Sequence, residues 1–218
     1  MGLFNNLFKE ENNKESTPKK NIQSSNTHQA VTENPYKDIL DLSKPDDMLN
    51  LSKVDSTLEN VRVAAGWDTG YDLDLCAYLL DKDGKTRDTV YYGDKTARGI
   101  HLDKDNLTGE GSGDDENIYT TLSMIYPRVS TIILAVVIYS PSIGEYFSRV
   151  KNAFVRLINE DNGYQVCRYN LSADGGKNTA VVAAKLYRNA QGEWIFQAIG
   201  DYSNDSIRSL ERKLKKYL

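Results

Sequence analysis

The chain has 218 residues, 27 basic and 31 acidic, for a formal net charge of -4. Mild acidity argues against a nucleic-acid surface, which needs clustered lysine and arginine to neutralise phosphates. Cys76 and Cys167 are the only cysteines, too few for a disulfide framework, so a reducing cytoplasm is the expected compartment; a single bridge between the two stays open.

In chain order, the first feature is Met1-Gly2-Leu3-Phe4-Asn5-Asn6-Leu7-Phe8. Leu3, Phe4, Leu7 and Phe8 share one helical face, which allows either a frayed end or a short helix that docks on a partner or a membrane surface. Residues 9–34 are dominated by Lys, Glu, Asn, Ser, Thr and Gln, with Ile22, Ala30 and Val31 among them. So little apolar surface does not offset ordering entropy, and residues 1–38 are expected to be a disordered extension. The first residues lack the pattern of a signal peptide. The longest apolar run, Ile132 to Tyr139, has the length of a strand and falls far short of the ~20 residues of a membrane-spanning helix.

From about Leu40 short β-type runs alternate with turn residues, the pattern of a sandwich or barrel. Strands are expected near 48–54, 60–67, 72–80, 88–92, 117–122, 130–139, 153–159, 164–171, 179–188 and 193–200. The run Ile132–Ile138 is apolar on both faces and predicts a central strand. Asn162-Gly163 predicts a hairpin with both turn residues at positive φ, and Asn189-Ala190-Gln191-Gly192 links the last two strands similarly. Asp81-Lys82-Asp83-Gly84-Lys85 reads as a turn. At the end, Asn204 or Asp205 caps a predicted amphipathic helix over 204–218, with Ile207, Leu210, Leu214 and Tyr217 as its apolar stripe.

Two acidic groups carry the candidate chemistry. Asp105-Asn106-Leu107-Thr108-Gly109-Glu110-Gly111-Ser112-Gly113-Asp114-Asp115-Glu116 holds five carboxylates, three glycines and no cation. Glycine lets the backbone fold tightly and present carbonyls, and carboxylates are hard oxygen ligands, the combination that calcium requires. It is not an EF-hand loop, because Leu107, Gly109 and Glu110 stand where that loop needs oxygen ligands and a glycine. The second group is Asp68, Asp72 and Asp74 in the run from Gly66 to Leu75. Asp72 and Asp74 share a strand face, while Leu73 and Leu75 point into the core. Adjacent carboxylates repel unless a cation lies between them or one is protonated. Seven carboxylates (Asp68, Asp72, Asp74, Asp105, Asp114, Asp115 and Glu116) overcharge a single divalent ion, so two Ca2+ ions, or some residues facing water, are expected. Zinc is disfavoured, since His28 and His101 are the only histidines and neither has cysteine at ligand spacing. Asn159-Glu160-Asp161-Asn162-Gly163 reads as a hairpin turn or as a weaker metal group through Asn159, Asp161 and Asn162.

These stretches, in this order, resemble the successive motifs of the TerD-type tellurite-resistance and stress-protein family. Leu42-Ser43-Lys44-Pro45 through Leu51-Ser52-Lys53 resembles the first strand of that family, and Lys185 to Arg188 with Gly192-Glu193-Trp194 resembles its final hairpin. The likeness covers about 39–203. It departs at Ser112, where the family usually has Asp, at Pro45 in place of Gly, and at Tyr71 in place of Phe. The resemblance implies an all-β, two-sheet β-sandwich that binds calcium and is linked to tellurite and other stress resistance. Its slime-mould relatives are described as cyclic-nucleotide binders, which is the competing reading; a metal-dependent hydrolase is a third. The expected protein is therefore a cytoplasmic calcium-binding module and not an enzyme: a disordered extension over 1–38, a calcium-binding sandwich over 39–203 and a helix over 204–218. The expected ligands are Asp68, Asp72, Asp74, Asp105, Asn106, Gly109, Gly111, Asp114, Asp115, Glu116, Asn159, Asp161 and Asn162. The expected partners are other stress-response proteins near the inner membrane surface.

Overall fold

Alternation in the stretch from Asn60 to Asp68 produces a strand whose residues Val61, Val63, Ala65 and Trp67 enter one apolar core. The computed structural model of the chain describes Pro35, Tyr36 and residues 41–109, 113–171 and 175–218. The expectations for residues 1–34 and for Gly111 lie outside the described residues. One sheet contains β1 (Asp41–Leu42), β3 (Asn60–Asp68), β6 (Thr96–Ala97), β7 (Ile100–Leu102), β8 (Glu116–Thr121), β10 (Lys151–Asn159) and β11 (Gln165–Asn170), ordered β1-β11-β10-β3-β8-β7-β6. The other contains β2 (Met48–Asn50), β4 (Leu73–Asp81), β5 (Thr86–Val90), β9 (Val129–Ile138), β12 (Ala180–Arg188) and β13 (Trp194–Ser203), ordered β2-β13-β12-β9-β4-β5. The fold is thus the expected all-β, two-sheet sandwich. Among the described residues only β1 and β11 pair in parallel; the other pairs there are antiparallel, the arrangement that short turns can connect.

The two faces of the second sheet do different work. Leu73, Leu75, Ala77 and Leu79 of β4 and Ile132, Leu134 and Val136 of β9 face the first sheet across the core. Cys76, Tyr78, Leu80, Ile133, Ala135 and Val182 point the opposite way and form a second cluster with Leu210 and Leu214. β9 lies between β12 and β4, and the C-terminal segment covers its outer face, so both faces of β9 are buried and apolar. The segment is not one continuous helix: α2 (Ile207–Glu211) follows α1 (Leu51–Val54) as the second short α-helix, and a 3-10 turn spans Leu214–Tyr217. Ser206 and Ser209 form the capping box of α2, where Asn204 or Asp205 had been expected to cap.

Several local expectations are corrected. The stretch 48–54 is a three-residue strand followed by α1, because Asn50 accepts a bond from the Lys53 N–H and caps the turn. Strands β1, β6 and β7 were not legible, being two or three residues long. In the β10–β11 hairpin Gly163 has φ 75°, and Asn162 is not among the positive-φ residues. The loop closes through Gly163 N–H donating to the Asn159 carbonyl at 2.8 Å. Cys76 and Cys167 are both free and buried. Tyr36, placed in the extension by the expected boundary at 38, is 2% exposed; its hydroxyl donates to Asp55 at 2.6 Å and accepts from Asn159 at 2.9 Å.

Candidate metal centre

At one end of the sandwich, the turn from β3 to β4 and the loop from β7 to β8 fold against each other. Gly109 N–H donates to the Thr69 carbonyl at 3.0 Å, and Asp115 N–H donates to the Ala65 carbonyl at 2.9 Å. Glycine is required where the two segments touch. A Cβ on Gly109 would stand 2.0 Å from the Trp67 ring, and one on Gly66 would stand 2.4 Å from the Gly113 carbonyl oxygen. The described parts of the loop therefore rest on β3 and its turn and bring Asp105 to the start of β4.

Asp72, Asp74 and Asp105 converge there, each offering an oxygen within 4.8 Å of the others. Asp74 is only 2% exposed, and among the described residues its Oδ2 has no hydrogen-bond partner; Asp72 Oδ1 is likewise buried and unpartnered among them. Burial, with Asp72 and Asp105 nearby, raises the Asp74 carboxyl to about 7. Burial and the Asp105 charge raise Asp72 as well. Glu116, 1% exposed, accepts the Leu75 N–H at 2.6 Å and the Asn106 N–H at 3.2 Å. Burial pushes it up to about 8 despite those two bonds. None of the ion pairs among the described residues reaches Asp72, Asp74, Asp105, Asp115 or Glu116. Buried carboxylates without a partner are costly, and the electrostatic remedies are protonation or a cation. Unpartnered hard oxygens on Asp72 and Asp74, with an Asp105 oxygen within 4.8 Å, fit a divalent oxygen-seeking ion such as calcium.

Other expected ligands lie beside this cluster or away from it. Asp115 accepts from the Trp67 N–H at 2.8 Å and from Asn106 at 3.1 Å, so it and Asn106 brace the loop. Asp68 is exposed and accepts from Asn152 at 3.4 Å. Gly109 seats the loop on Trp67. Asp114 is held elsewhere, by Arg62 at 2.8 Å and by Arg156 at 2.8 and 2.7 Å. Asn159, Asp161 and Asn162 occupy the hairpin at the opposite end of β3, roughly 25 Å away at ~3.3 Å per residue. There Asn159 and Asn162 accept backbone N–H groups of the turn, and Asp161 accepts from Asn60. The arginines around Asp114 were not legible in sequence, because β3 and β10 become neighbours only when the sheet forms.

The fold and this end of it define a two-sheet β-sandwich with an acidic site built from a strand turn and a glycine-rich loop. The chain belongs to the TerD family, whose domain model matches residues 40–214, a span that takes in α2. It is 38% identical to the tellurium resistance protein TerD of Serratia marcescens over 164 residues, 70% of this chain and 85% of that protein. It is 37% identical to general stress protein 16U of Bacillus subtilis over 166 residues, with the same coverage of 70% and 85%. A crystal structure of a telluride resistance protein TerD homologue from Streptomyces coelicolor shares the fold, with a TM-score of 0.60 at 22% identity over 71% of this chain and 95% of that one. These are names of resistance and stress proteins, and none is the name of an enzyme. Among the described residues no helix is long and apolar enough to cross a membrane.

Proposed function

We propose that this chain is a calcium-binding, non-enzymatic protein of tellurium and chemical stress resistance, acting in the cytoplasm through protein partners at the inner membrane surface. The observation that carries the calcium reading is the Asp74 carboxylate, 2% exposed, with an oxygen that no group among the described residues satisfies and two further aspartates within 4.8 Å. Asp72, Asp74 and Asp105, with Glu116 beside them, would hold one ion, and Asp68 and Asp115 would take part in a second. Calcium would supply the positive charge that lets these carboxylates ionise together. A cyclic nucleotide is disfavoured in the metal-free centre, because its phosphate would meet carboxylates with no paired cation among the described residues, and it would have to bind through the calcium itself.

Calorimetric titration with calcium tests the reading. Wild-type protein should bind, and its melting temperature should rise; a native-state ligand at a hundredfold excess over Kd contributes about 2.7 kcal/mol. Asp72→Asn/Asp74→Asn should keep its fold and lose most of the heat. Identical melts of the wild type in calcium and in chelator would overturn the assignment. Pull-downs with and without calcium test the partner reading; the same proteins retained in both would count against a calcium-controlled partner.

A further inference from the structure

A cavity of about 700 Å³ opens on the outer face of the second sheet, between the ends of β4, β5 and β9 and the C-terminal α2. Its volume lies within the roughly 300–1,000 Å³ of small-molecule sites. Three tyrosines line it. Tyr91 and Tyr92 stand 5.1 Å apart at 80°, and Tyr92 and Tyr139 stand 5.3 Å apart at 82°, so successive rings meet nearly at right angles. This arrangement is held by the backbone. Reciprocal bonds of 3.0 Å between Tyr91 and Asp94 close the turn that carries Tyr92. Ser140, next to Tyr139, has φ 42°, a left-handed conformation that a non-glycine residue adopts at a cost.

Charge selects the ligand. Asp74, Asp94 and Glu211 line the cavity, and Arg208 is the one basic residue doing so among the described residues. Asp205 also lines it but is neutralised by Lys213 at 2.7 and 2.8 Å. Asp74 is again the informative group, since it is buried, carries an unpartnered oxygen and forms part of the cavity wall. An anion would be repelled here, and a neutral apolar ligand would leave the buried carboxylate uncompensated. Tyrosine faces attract cations, with quaternary ammonium groups as the usual guests of aromatic cages. We infer that this cavity binds a small organic ammonium ion, held by the tyrosines and by the excess of carboxylates. The cavity shares Asp74 with the proposed metal centre, so an ion held there would compensate that carboxylate; the three tyrosines, Asp94 and Glu211 carry the inference without it.

The test is calorimetric titration of the full chain with choline and with the uncharged carbon isostere of choline, once in calcium and once in chelator. Choline should bind in at least one condition and the isostere in neither. Tyr139 is 47% exposed, so Tyr139→Ala should remain folded. Its choline affinity should fall about 3- to 30-fold, the range for loss of one cation–π face. Asp94→Asn, at an exposed turn position, should weaken choline binding in the same direction. Calcium titrations of both variants should match the wild type, which separates failure of this site from failure of the metal centre. No choline binding in either condition, equal binding of the isostere, or wild-type choline affinity in both variants would overturn the inference.

Discussion

Glu116 of β8 accepts the Leu75 N–H of β4 at 2.6 Å, so one buried carboxyl joins the two sheets at the acidic end of the sandwich. The same side chain accepts the Asn106 N–H at 3.2 Å and pins the loop from β7 to β8. A structural tie and an acidic centre thus share one residue.

That sharing makes the metal-free protein sensitive to pH. Burial raises Glu116 to about 8 and Asp74 to about 7, above their ordinary values of 4.5 and 3.8. The native state therefore holds protons that the unfolded chain releases from about pH 4 upward, and the stability these groups contribute is lost as pH rises through 7 to 8. In chelator, wild-type melting temperature should fall between about pH 5 and 8 more steeply than that of Asp74→Asn. In calcium the wild-type trend should flatten or reverse, because binding an ion displaces those protons. Parallel curves for the two proteins in chelator would contradict the assignment of Asp74 as a proton holder.

Gly109→Ala should disturb the centre from outside it. The new Cβ would fall 2.0 Å from the Trp67 ring, so the loop must lift from β3. Overpacking of this kind costs about 1–3 kcal/mol, and calcium affinity should drop several-fold as Asp105 moves away from Asp72 and Asp74. Urea denaturation and calcium titration of the same preparation give both numbers.

Asp114 should behave differently from its neighbours. Arg62 and Arg156 both bond it, and its side chain is 9% exposed. Asp114→Asn should cost about 1–3 kcal/mol, the range for a charged hydrogen bond lost at a partly buried site. Calcium affinity should stay near wild type. A large loss of calcium binding with unchanged stability would place Asp114 among the ligands after all.

The C-terminal cover should be essential to stability. Leu214 is 0% exposed and packs with Leu210, Tyr78 and Leu80 on the outer face of the second sheet. Tyr78 donates to the Ile207 carbonyl at 2.9 Å, and Lys185 donates to the Tyr217 carbonyl at 2.6 Å. Leu214→Ala should cost about 2–5 kcal/mol, read as a fall in denaturation midpoint with the calcium-binding heat retained at low temperature. A midpoint within experimental error of the wild type would mean that the segment only rests on the sheet.

Much of this molecule is determined by local pattern. Alternation through Val61, Val63 and Ala65, the doubly apolar run Ile132–Ile138 and the glycine-bearing turns around Gly163 and Gly192 set strands whose side chains have a single workable register. The acidic runs at Asp72–Asp74 and Asp105–Glu116 were equally visible, since carboxylates that close together in sequence must face one another or water. Tertiary structure decided which carboxylates meet. Asp114 and Asp115 are adjacent in sequence yet face different partners, Arg62 and Arg156 for one, Trp67 N–H and Asn106 for the other. Asn159, which composition allowed as a turn residue or a metal ligand, closes a hairpin at the far end of β3 from Asp72 and Asp74. The tyrosines at 91, 92 and 139 became neighbours through the arrangement of β5, β4 and β9. Sequence spacing fixes which face of a strand a residue takes, because the pleat has a period of two. Distance across a sheet depends on strand order, and strand order is set by how the whole core packs.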